Sequence, residues 1–208
     1  GAIGRVCNPH TEPCPCGERL LADSKAQDPV TLCLAEAFTR PAMMRTLGAI
    51  GFDQSYTYFA WRTAKDEIEK YLRELSEETA HLMRPACWPT THDMRTPRMG
   101  DGGTAIFAIR AMLAALGAPT WGIYSGYELA ESTPRPGYEE QIDNEKYEFK
   151  PRDFAAARRH GIEDLPPRPN AAPAAHPAPR HPRDTDFHPP TPHQAPHSPH
   201  PGAATTRH

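Results

Sequence analysis

Two carboxylic acids and one thiol lie in short segments whose residue types could do chemistry. Glu36 follows the apolar residues TLCLA, Asp93 ends the segment ACWPTTHD, and Cys7 lies within GRVCNPHTEP. Transfer of a glycosyl group needs one acid that protonates the leaving oxygen and other acids that stabilise positive charge on the sugar. Glu36 and Asp93 could supply these functions, although acids after strands are common in α/β proteins and identify no reaction by themselves.

The cysteines near the N-terminus offer a second kind of chemistry, a zinc site. Cys7, His10, Cys14 and Cys16 have the side-chain types that zinc prefers. Their spacing is unfavourable, because a single residue separates Cys14 from Cys16 and structural zinc sites usually have two or more. Histidines scattered among prolines near the C-terminus could hold transition metals only weakly. We therefore predict no metal site and no cofactor, and keep a Cys/His metal-binding protein as an alternative hypothesis.

Short apolar segments alternate with helical segments along most of the chain, which is typical of a parallel sheet covered by helices. The run TLCLAEAF predicts a buried parallel strand with Glu36 near its carboxyl end. Thr63 is the predicted N-cap of the amphipathic helix TAKDEIEKYLRELSEETAHLM, and TAIFAIRAMLAAL predicts a second helix. Further strands are expected at residues 1–6, 52–61, 86–93 and 121–126.

Polar side chains at the carboxyl ends of successive parallel strands indicate the active face of a barrel. A complete (β/α)8 TIM barrel needs about 250 residues, whereas only residues 1–158 have the composition of a folded domain. We therefore predict an α/β fold, an incomplete (β/α)8 TIM barrel that corresponds to the second half of the barrel, with about five strands. The chain begins at Gly1 without a methionine, so we expect it to be a fragment of a longer protein.

The last 50 residues differ in composition from the rest of the chain. Residues 159–208 are rich in Pro, His and Ala, and their large apolar residues are only Ile162, Leu165 and Phe187. Such a segment cannot bury enough apolar surface to offset the entropy lost on ordering. We therefore predict two regions, a half-barrel domain over residues 1–158 and a disordered low-complexity tail over residues 159–208.

The overall charge and the cysteine usage restrict the partners and the compartment. A net charge of -3 gives no basic field of the kind that attracts nucleic acid or an anionic membrane. The sequence has neither a run of about 20 apolar residues nor the basic and apolar segments of a signal peptide. Five cysteines, an odd number, do not suggest a secreted disulfide framework. We predict a cytoplasmic protein that binds neither nucleic acid nor membrane and acts on a small or neutral molecule.

Three segments, in the same order, resemble the maltosyltransferases of the α-amylase superfamily that use maltose 1-phosphate to extend α-1,4-glucans. These segments are LAEAFTRPAMM (34–44), IGFDQSYTYFAWR (50–62) and PTWGIYSGYELAESTP (119–134). The resemblance continues through DNEKYEFKPRD (143–153) and covers about three-quarters of the chain. It implies a retaining glycosyltransferase of glycogen or α-glucan synthesis, which moves maltosyl units from maltose 1-phosphate to the non-reducing end of an α-1,4-glucan acceptor.

The resemblance assigns roles to the three residues of the candidate catalytic site. Glu36 matches the family's general acid/base, and Asp93 matches the acid that stabilises the transition state. Cys7 occupies the position of the nucleophile, where the family has an aspartate. A thiol is mostly neutral at pH 7, so it does not stabilise the positive charge on the sugar as a carboxylate does. By analogy with other lost nucleophiles, we expect turnover to fall by a factor on the order of 10⁴.

The same resemblance implies that five further residues contact the substrate. Arg5 resembles the arginine that orients the nucleophile, and Asn8 resembles the residue that helps hold the donor phosphate. His92 stands where the family usually has a proline, and a histidine at this position contacts the sugar in the wider superfamily. Lys146 and Tyr147 resemble residues near the maltosyl unit. The family also suggests a homodimer.

Two functional hypotheses follow from the resemblance and from the altered nucleophile. The first is a fragment of a maltosyltransferase, whose own activity Cys7 brings into question. The second is a non-catalytic carbohydrate-binding or interaction protein that uses the same half barrel. The Cys/His metal-binding protein is the third hypothesis, from a different class.

Overall fold

The computed structural model describes residues 3–5, 15–36, 40–142, 149–156, 185–187 and 204–206 of the chain. Within these residues, the main feature is a parallel sheet of five strands whose order in space equals their order in sequence. The strands are β1 (Ile3–Arg5), β2 (Leu32–Ala35), β3 (Gln54–Tyr56), β4 (Arg84–Cys87) and β5 (Thr120–Trp121). The connecting helices are α1 (Pro15–Gln27), α2 (Pro41–Ala49), α3 (Lys65–Arg73) and α4 (Gly103–Gly117). Successive parallel strands joined by helices confirm the predicted fold class, an incomplete (β/α)8 barrel.

Two predicted strands are shorter than their sequence patterns suggest. The segment FDQSYTYFAW forms the three-residue strand β3, and a 3-10 helix follows at Tyr58–Trp61. This helix begins where the Thr57 hydroxyl accepts a hydrogen bond from the N–H of Phe59. The segment ACWPTTHD contributes only its first residues to β4, which ends at Cys87. Pro89 lies two residues later and has no N–H with which to continue the ladder.

The strand register aligns one end of the sheet, which we call the carboxyl edge because β1 to β5 all end there. Ala35 of β2 pairs with Ser55 of β3, and Tyr56 of β3 pairs with Ala86 of β4. Glu36, the residue after Ala35, therefore leaves the sheet at the level of Tyr56. The prediction that Glu36 stands at the carboxyl end of a strand is confirmed.

Proline begins two of the helices. Pro15 and Pro41 are the first residues of α1 and α2, where the missing N–H costs nothing because the first turn has no intrahelical acceptor for it. Helix α1 was not anticipated by the sequence pattern. Its buried residues are Gly17 and Leu21, and so few buried positions do not produce a recognisable helical period.

The start of α3 corrects the predicted N-cap. The N-cap is Ala64 rather than Thr63, and its methyl side chain cannot accept a hydrogen bond. The carboxylate of Glu67 instead accepts hydrogen bonds from the N–H groups of Ala64 at 3.1 Å and Thr63 at 3.2 Å. These two bonds lower the pKa of Glu67. At its other end α3 widens into a π-helical turn, Glu74–Glu78, closed by a 3.1 Å bond from the N–H of Thr79 to the Glu74 carbonyl.

Alternate residues of the strands pack against the helices and form the core. Cys33 and Ala35 of β2 pack with Leu21 of α1, and Cys87 of β4 packs with Tyr71 of α3. Because side chains alternate along a strand, the intervening residues lie on the opposite face of the sheet. A closed barrel encloses that second face, and the carboxyl edge is the rim where its loops meet.

The C-terminal region contains a second, smaller sheet. Strand β6 (Thr185–Phe187) pairs antiparallel with β7 (Ala204–Thr206). The predicted disordered tail, residues 159–208, otherwise lies outside the described residues and stays a prediction. Among the helices that the structure describes, none is both long enough and apolar enough to cross a bilayer.

Candidate active site

Glu36 lies at the carboxyl edge directly after β2 and is half-buried. The strand positions it because Cys33 and Ala35, the alternate residues before it, are held in the core at 2% exposure each. The backbone of Glu36 is therefore anchored by β2, while its side chain stays partly exposed. This combination suits a group that exchanges protons with a bound substrate.

Asp93 reaches the carboxyl edge on a loop, six residues after the end of β4. Thr91 and Met94 form an isolated bridge, with a 3.0 Å bond from the Thr91 N–H to the Met94 carbonyl. This tight turn presents Asp93 outward, and its side chain is 43% exposed. The Thr91 hydroxyl donates a 2.5 Å hydrogen bond to Oδ1 of Asp93. The carboxylate is therefore oriented by its own loop and keeps its second oxygen for other partners.

His92 stands beside Asp93 on the same turn. Its Nδ1 atom lies 3.9 Å from Oδ1 of Asp93, and its ring centroid lies 6.2 Å from that of Tyr124, which follows β5. The side chain of His92 is 44% exposed. The structure thus brings together an imidazole, a carboxylate and a phenol ring at the carboxyl edge, while the predicted roles of His92 and Asp93 stay predictions.

A second loop braces the turn that holds Asp93, and this support was missed in the sequence. Gln141 is 5% exposed, its side-chain amide donates to the Thr91 carbonyl at 3.3 Å, and its N–H donates to the His92 carbonyl at 3.3 Å. The N–H of Arg95 donates to the Glu139 carbonyl at 3.0 Å. These partners are more than 40 residues apart in sequence, so no local pattern could reveal them.

An ion cluster lies next to Tyr124, and it too was missed. Nε of Arg152 is 3.2 and 3.1 Å from the two carboxylate oxygens of Glu131, and Nζ of Lys150 is 3.1 Å from Oε2 of Glu131. The Arg152 guanidinium also lies over the Tyr124 ring, 5.7 Å from its centroid. Burial lowers the pKa of Arg152, but the hydrogen bonds and charge of Glu131 outweigh burial, so the net pKa is raised. Arg152 therefore stays cationic at neutral pH.

Two aromatic rings pack where β3 and β4 end. The ring centroids of Tyr56 and Trp88 are 5.4 Å apart. Gly122, which follows β5, allows this packing, because a Cβ atom there would lie 2.6 Å from Cζ2 of Trp88. β3 and β4 lie in the sheet between β2, which precedes Glu36, and β5. The two rings therefore lie between Glu36 and the loop after β5.

Several predicted site residues lie outside the described residues. Cys7, Asn8, Lys146 and Tyr147 are among them, and of Arg5 only the backbone is described, at the end of β1. Their proposed roles stay predictions.

The candidate zinc ligands can be compared with the structure only in part. Cys7, His10 and Cys14 lie outside the described residues, and Cys16 is exposed in the first turn of α1. Within the described part of the chain, no three His, Cys, Asp or Glu side chains are arranged to hold a metal ion. Since most of the candidate ligands are not among those residues, the predicted absence of metal stays a prediction.

Comparison with known proteins shows which sequences this chain resembles. No family model matches. An α-1,4-glucan:maltose-1-phosphate maltosyltransferase of Arcanobacterium haemolyticum is 60% identical over 163 residues, which are 78% of this chain and 24% of the relative. A maltosyltransferase of the same name from Streptomyces coelicolor is 53% identical over 190 residues, 90% of this chain and 28% of the relative. The chain therefore spans about a quarter of the length of these relatives.

Comparison with solved structures gives the fold independently. An α-amylase of Anoxybacillus superposes with a TM-score of 0.56 at 14% identity, over 82% of this chain and 38% of that one. At this identity the likeness establishes the barrel fold and nothing about substrate. The sequence relatives and the fold agree with the resemblance carried by the segments around Glu36, Tyr56 and Tyr124. Over the quarter of their length that it spans, the chain is similar to proteins named α-1,4-glucan:maltose-1-phosphate maltosyltransferase.

Proposed function

We propose that this chain is part of the catalytic barrel of a retaining maltosyltransferase that moves maltosyl units from maltose 1-phosphate to the non-reducing end of α-1,4-glucans. The observation that carries the proposal is the 60% identity to a protein named for this donor and acceptor, over most of the chain. The two acids that the family mechanism needs on this part of the barrel, Glu36 and Asp93, are both present at the carboxyl edge.

Glu36 is the general acid/base in this proposal. In the first step its carboxyl group gives a proton to the departing phosphate oxygen as the bond from that oxygen to the anomeric carbon breaks. The nucleophile forms a bond to the anomeric carbon from the opposite face. In the second step the Glu36 carboxylate takes the proton of the acceptor hydroxyl, whose oxygen displaces the enzyme nucleophile. The half-buried position of Glu36 at a strand end supports this double role.

Asp93 stabilises the transition state and binds sugar hydroxyls. Its hydrogen bond from Thr91 fixes one oxygen, and the side chain is 43% exposed, so a sugar can approach it. His92 contributes a ring edge beside it. By the family resemblance Arg5 and Asn8 act at the nucleophile and the donor phosphate, and Lys146 and Tyr147 act near the maltosyl unit.

Cys7 limits the activity of the chain as it stands. The thiol takes the position of the nucleophilic aspartate and carries no charge in its neutral form, so the electrostatic stabilisation of the oxocarbenium-like transition state is lost. This difference favours a second candidate function, a carbohydrate-binding or interaction protein that retains the sugar contacts of Asp93 and His92 without turnover. We place the protein in the cytoplasm and, by its family, in a homodimer.

A chimera tests the enzymatic proposal. The barrel is completed with the flanking regions of the A. haemolyticum relative, and Cys7→Asp is introduced. We expect maltosyl transfer from maltose 1-phosphate to a glucan acceptor, and we expect Glu36→Gln in the same background to lower the rate by at least about 100-fold, since the proton donor is removed. Equal rates with Glu36 and Gln at this position would show that Glu36 is not the acid/base.

A further inference from the structure

The ion cluster next to Tyr124 connects to the candidate site through a row of contacts. Glu131 holds Arg152 at 3.1 Å, Arg152 lies over the ring of Tyr124 at 5.7 Å, and that ring lies 6.2 Å from the ring of His92. The distance between the two rings is within the 4.5–7 Å range of favourable aromatic pairs. The row ends at Asp93, 3.9 Å from the His92 imidazole.

The backbone around the cluster is shaped to build it. Gly126 has φ of +102°, and its carbonyl accepts a 3.1 Å hydrogen bond from the N–H of Glu131. This turn folds Glu131 back under the loop that carries Tyr124. A Cβ atom on Gly126 would lie 2.9 Å from Nε of Arg152, so a larger residue would displace the ion pair. The turn at Gly126 and the ion pair between Glu131 and Arg152 therefore depend on each other.

The two cations of the cluster have different surroundings. The side chain of Arg152 is 12% exposed and that of Lys150 is 25% exposed. A planar guanidinium can bind a carboxylate and stack on an aromatic ring at the same time, whereas an ammonium group has no flat face for stacking. Arg152 is thus the member that transmits the position of Glu131 to the Tyr124 ring, while Lys150 adds charge to the pair.

We propose that Glu131 and Arg152 are positioning residues of the carboxyl-edge site, which hold Tyr124 and through it set the orientation of His92 beside Asp93. The inference rests on the proposed function in one respect: it takes a maltosyl unit as the ligand that His92 and Asp93 contact. Neither Glu131 nor Arg152 needs to touch that ligand, because their effect reaches it through two aromatic rings.

The chain provides its own matched control. Arg45 of α2 and Glu74, the first residue of the π-helical turn after α3, form an ion pair of 3.2 Å. Their side chains are 39% and 29% exposed, and the pair joins two helical segments rather than the loops after β4 and β5. A conservative change at Glu74 therefore removes a comparable ion pair away from the row that leads to His92.

The experiment uses the full 208-residue chain and two-dimensional NMR of its imidazole groups. The His92 resonance is assigned by its absence in His92→Gln. We expect Glu131→Gln and Arg152→Gln to shift this resonance and to raise the dissociation constant for maltose by about fivefold to tenfold, the size expected for groups coupled by direct contact. Glu74→Gln should leave both quantities unchanged. Should Arg152→Gln fail to fold, Arg152→Lys keeps the charge next to Glu131, loses the guanidinium contact with Tyr124, and should still shift His92.

The outcomes separate this inference from the proposed function. An unchanged His92 resonance in folded Glu131→Gln and in the folded Arg152 variant would overturn the positioning role, whatever the maltose affinity. A shifted resonance in a chain that binds no maltose would uphold the positioning role and contradict the sugar assignment. Equal shifts from Glu131→Gln and Glu74→Gln would also overturn the inference, since the effect would then be a general response to a lost ion pair.

Discussion

The helix side of the sheet and its carboxyl edge hold ionisable side chains in opposite environments. Behind the sheet, Cys87 and Arg110 are 0% and 2% exposed, and burial moves their pKa values toward the neutral form, to about 12 for Cys87 and about 10 for Arg110. At the carboxyl edge, His92 and Asp93 keep side-chain exposures of 44% and 43%. Ionisable groups on the helix side therefore contribute to packing and stability, and those at the edge are the ones that can meet a ligand.

Two arginines show the same contrast. Arg110 donates 2.6 Å hydrogen bonds to the carbonyls of Arg62 and Phe59 at the end of the 3-10 helix, and its guanidinium lies 4.1 Å from the centroid of the Phe59 ring. It thereby fixes the chain between β3 and α3 from behind the sheet. Arg152 is instead paired with a carboxylate near the rim, where it can orient other side chains.

The largest expected effect is on the helix side, at Phe59. This ring is 0% exposed and belongs to the main core cluster, so Phe59→Ala should lower the free energy of unfolding by about 3–5 kcal/mol. Chemical denaturation measures this loss of unfolding free energy. Trp61→Ala, in the same 3-10 helix but 39% exposed, is the control and should cost less than about 1 kcal/mol. Similar losses of unfolding free energy at both positions would show that burial on the helix side does not decide how much a residue contributes to stability.

A smaller change in the unfolding free energy is expected when the pH is raised. Burial is the main cause that raises the pKa of Cys87 to about 12 from an ordinary value of 9. Above about pH 9 the unfolded chain releases this proton and the folded chain keeps it, so the unfolding free energy should fall by up to about 1.4 kcal/mol per pH unit. Denaturation curves at pH 8 to 10 test this dependence.

The control for the pH dependence is a second cysteine. Cys87→Ala should weaken the fall in stability above about pH 9, whereas Cys16→Ala should not, because Cys16 is exposed on α1. An identical pH dependence in the two variants would show that the Cys87 thiol is not the group responsible.

The smallest effect on stability is expected at the carboxyl edge. Asp93→Asn keeps the shape of the side chain and an oxygen for the Thr91 hydroxyl, so the unfolding free energy should change by less than about 0.5 kcal/mol. Maltose affinity, measured by NMR titration, should nevertheless fall. A large loss of stability would place Asp93 among the structural residues and contradict its role as a ligand-binding acid.

The features that could be predicted from the sequence are those that depend on a local pattern of residues. The apolar run before Glu36 predicts a strand, because the strands of a parallel sheet are covered by helices and are rich in apolar residues. The structure confirms that this strand ends directly before Glu36. Asp93 was expected at the end of a strand too, but Pro89 stops β4 early and a turn carries the acid to the edge. The N-cap prediction at Thr63 was wrong because the N-cap is Ala64, and the Glu67 carboxylate accepts hydrogen bonds from the N–H groups of Thr63 and Ala64 just ahead of α3.

Tertiary supports of the site could not be predicted. Glu131 and Arg152 are 21 residues apart, and each alone looks like an ordinary surface charge in the sequence. Gln141 becomes significant only when its loop lies against the turn of Asp93. Contacts of this kind depend on how loops after different strands meet at the rim, which no periodicity records.

The nucleophile position gives the most direct test of the account. In the completed chimera, maltosyl transfer from maltose 1-phosphate is compared between the protein with Cys7 and its Cys7→Asp variant. The account predicts a rate higher by a factor on the order of 10⁴ for Cys7→Asp, because a charged carboxylate then faces Glu36 across the anomeric carbon. Equal rates for the two proteins would contradict it, since residue 7 would then not be the nucleophile and the family mechanism would not apply to this chain.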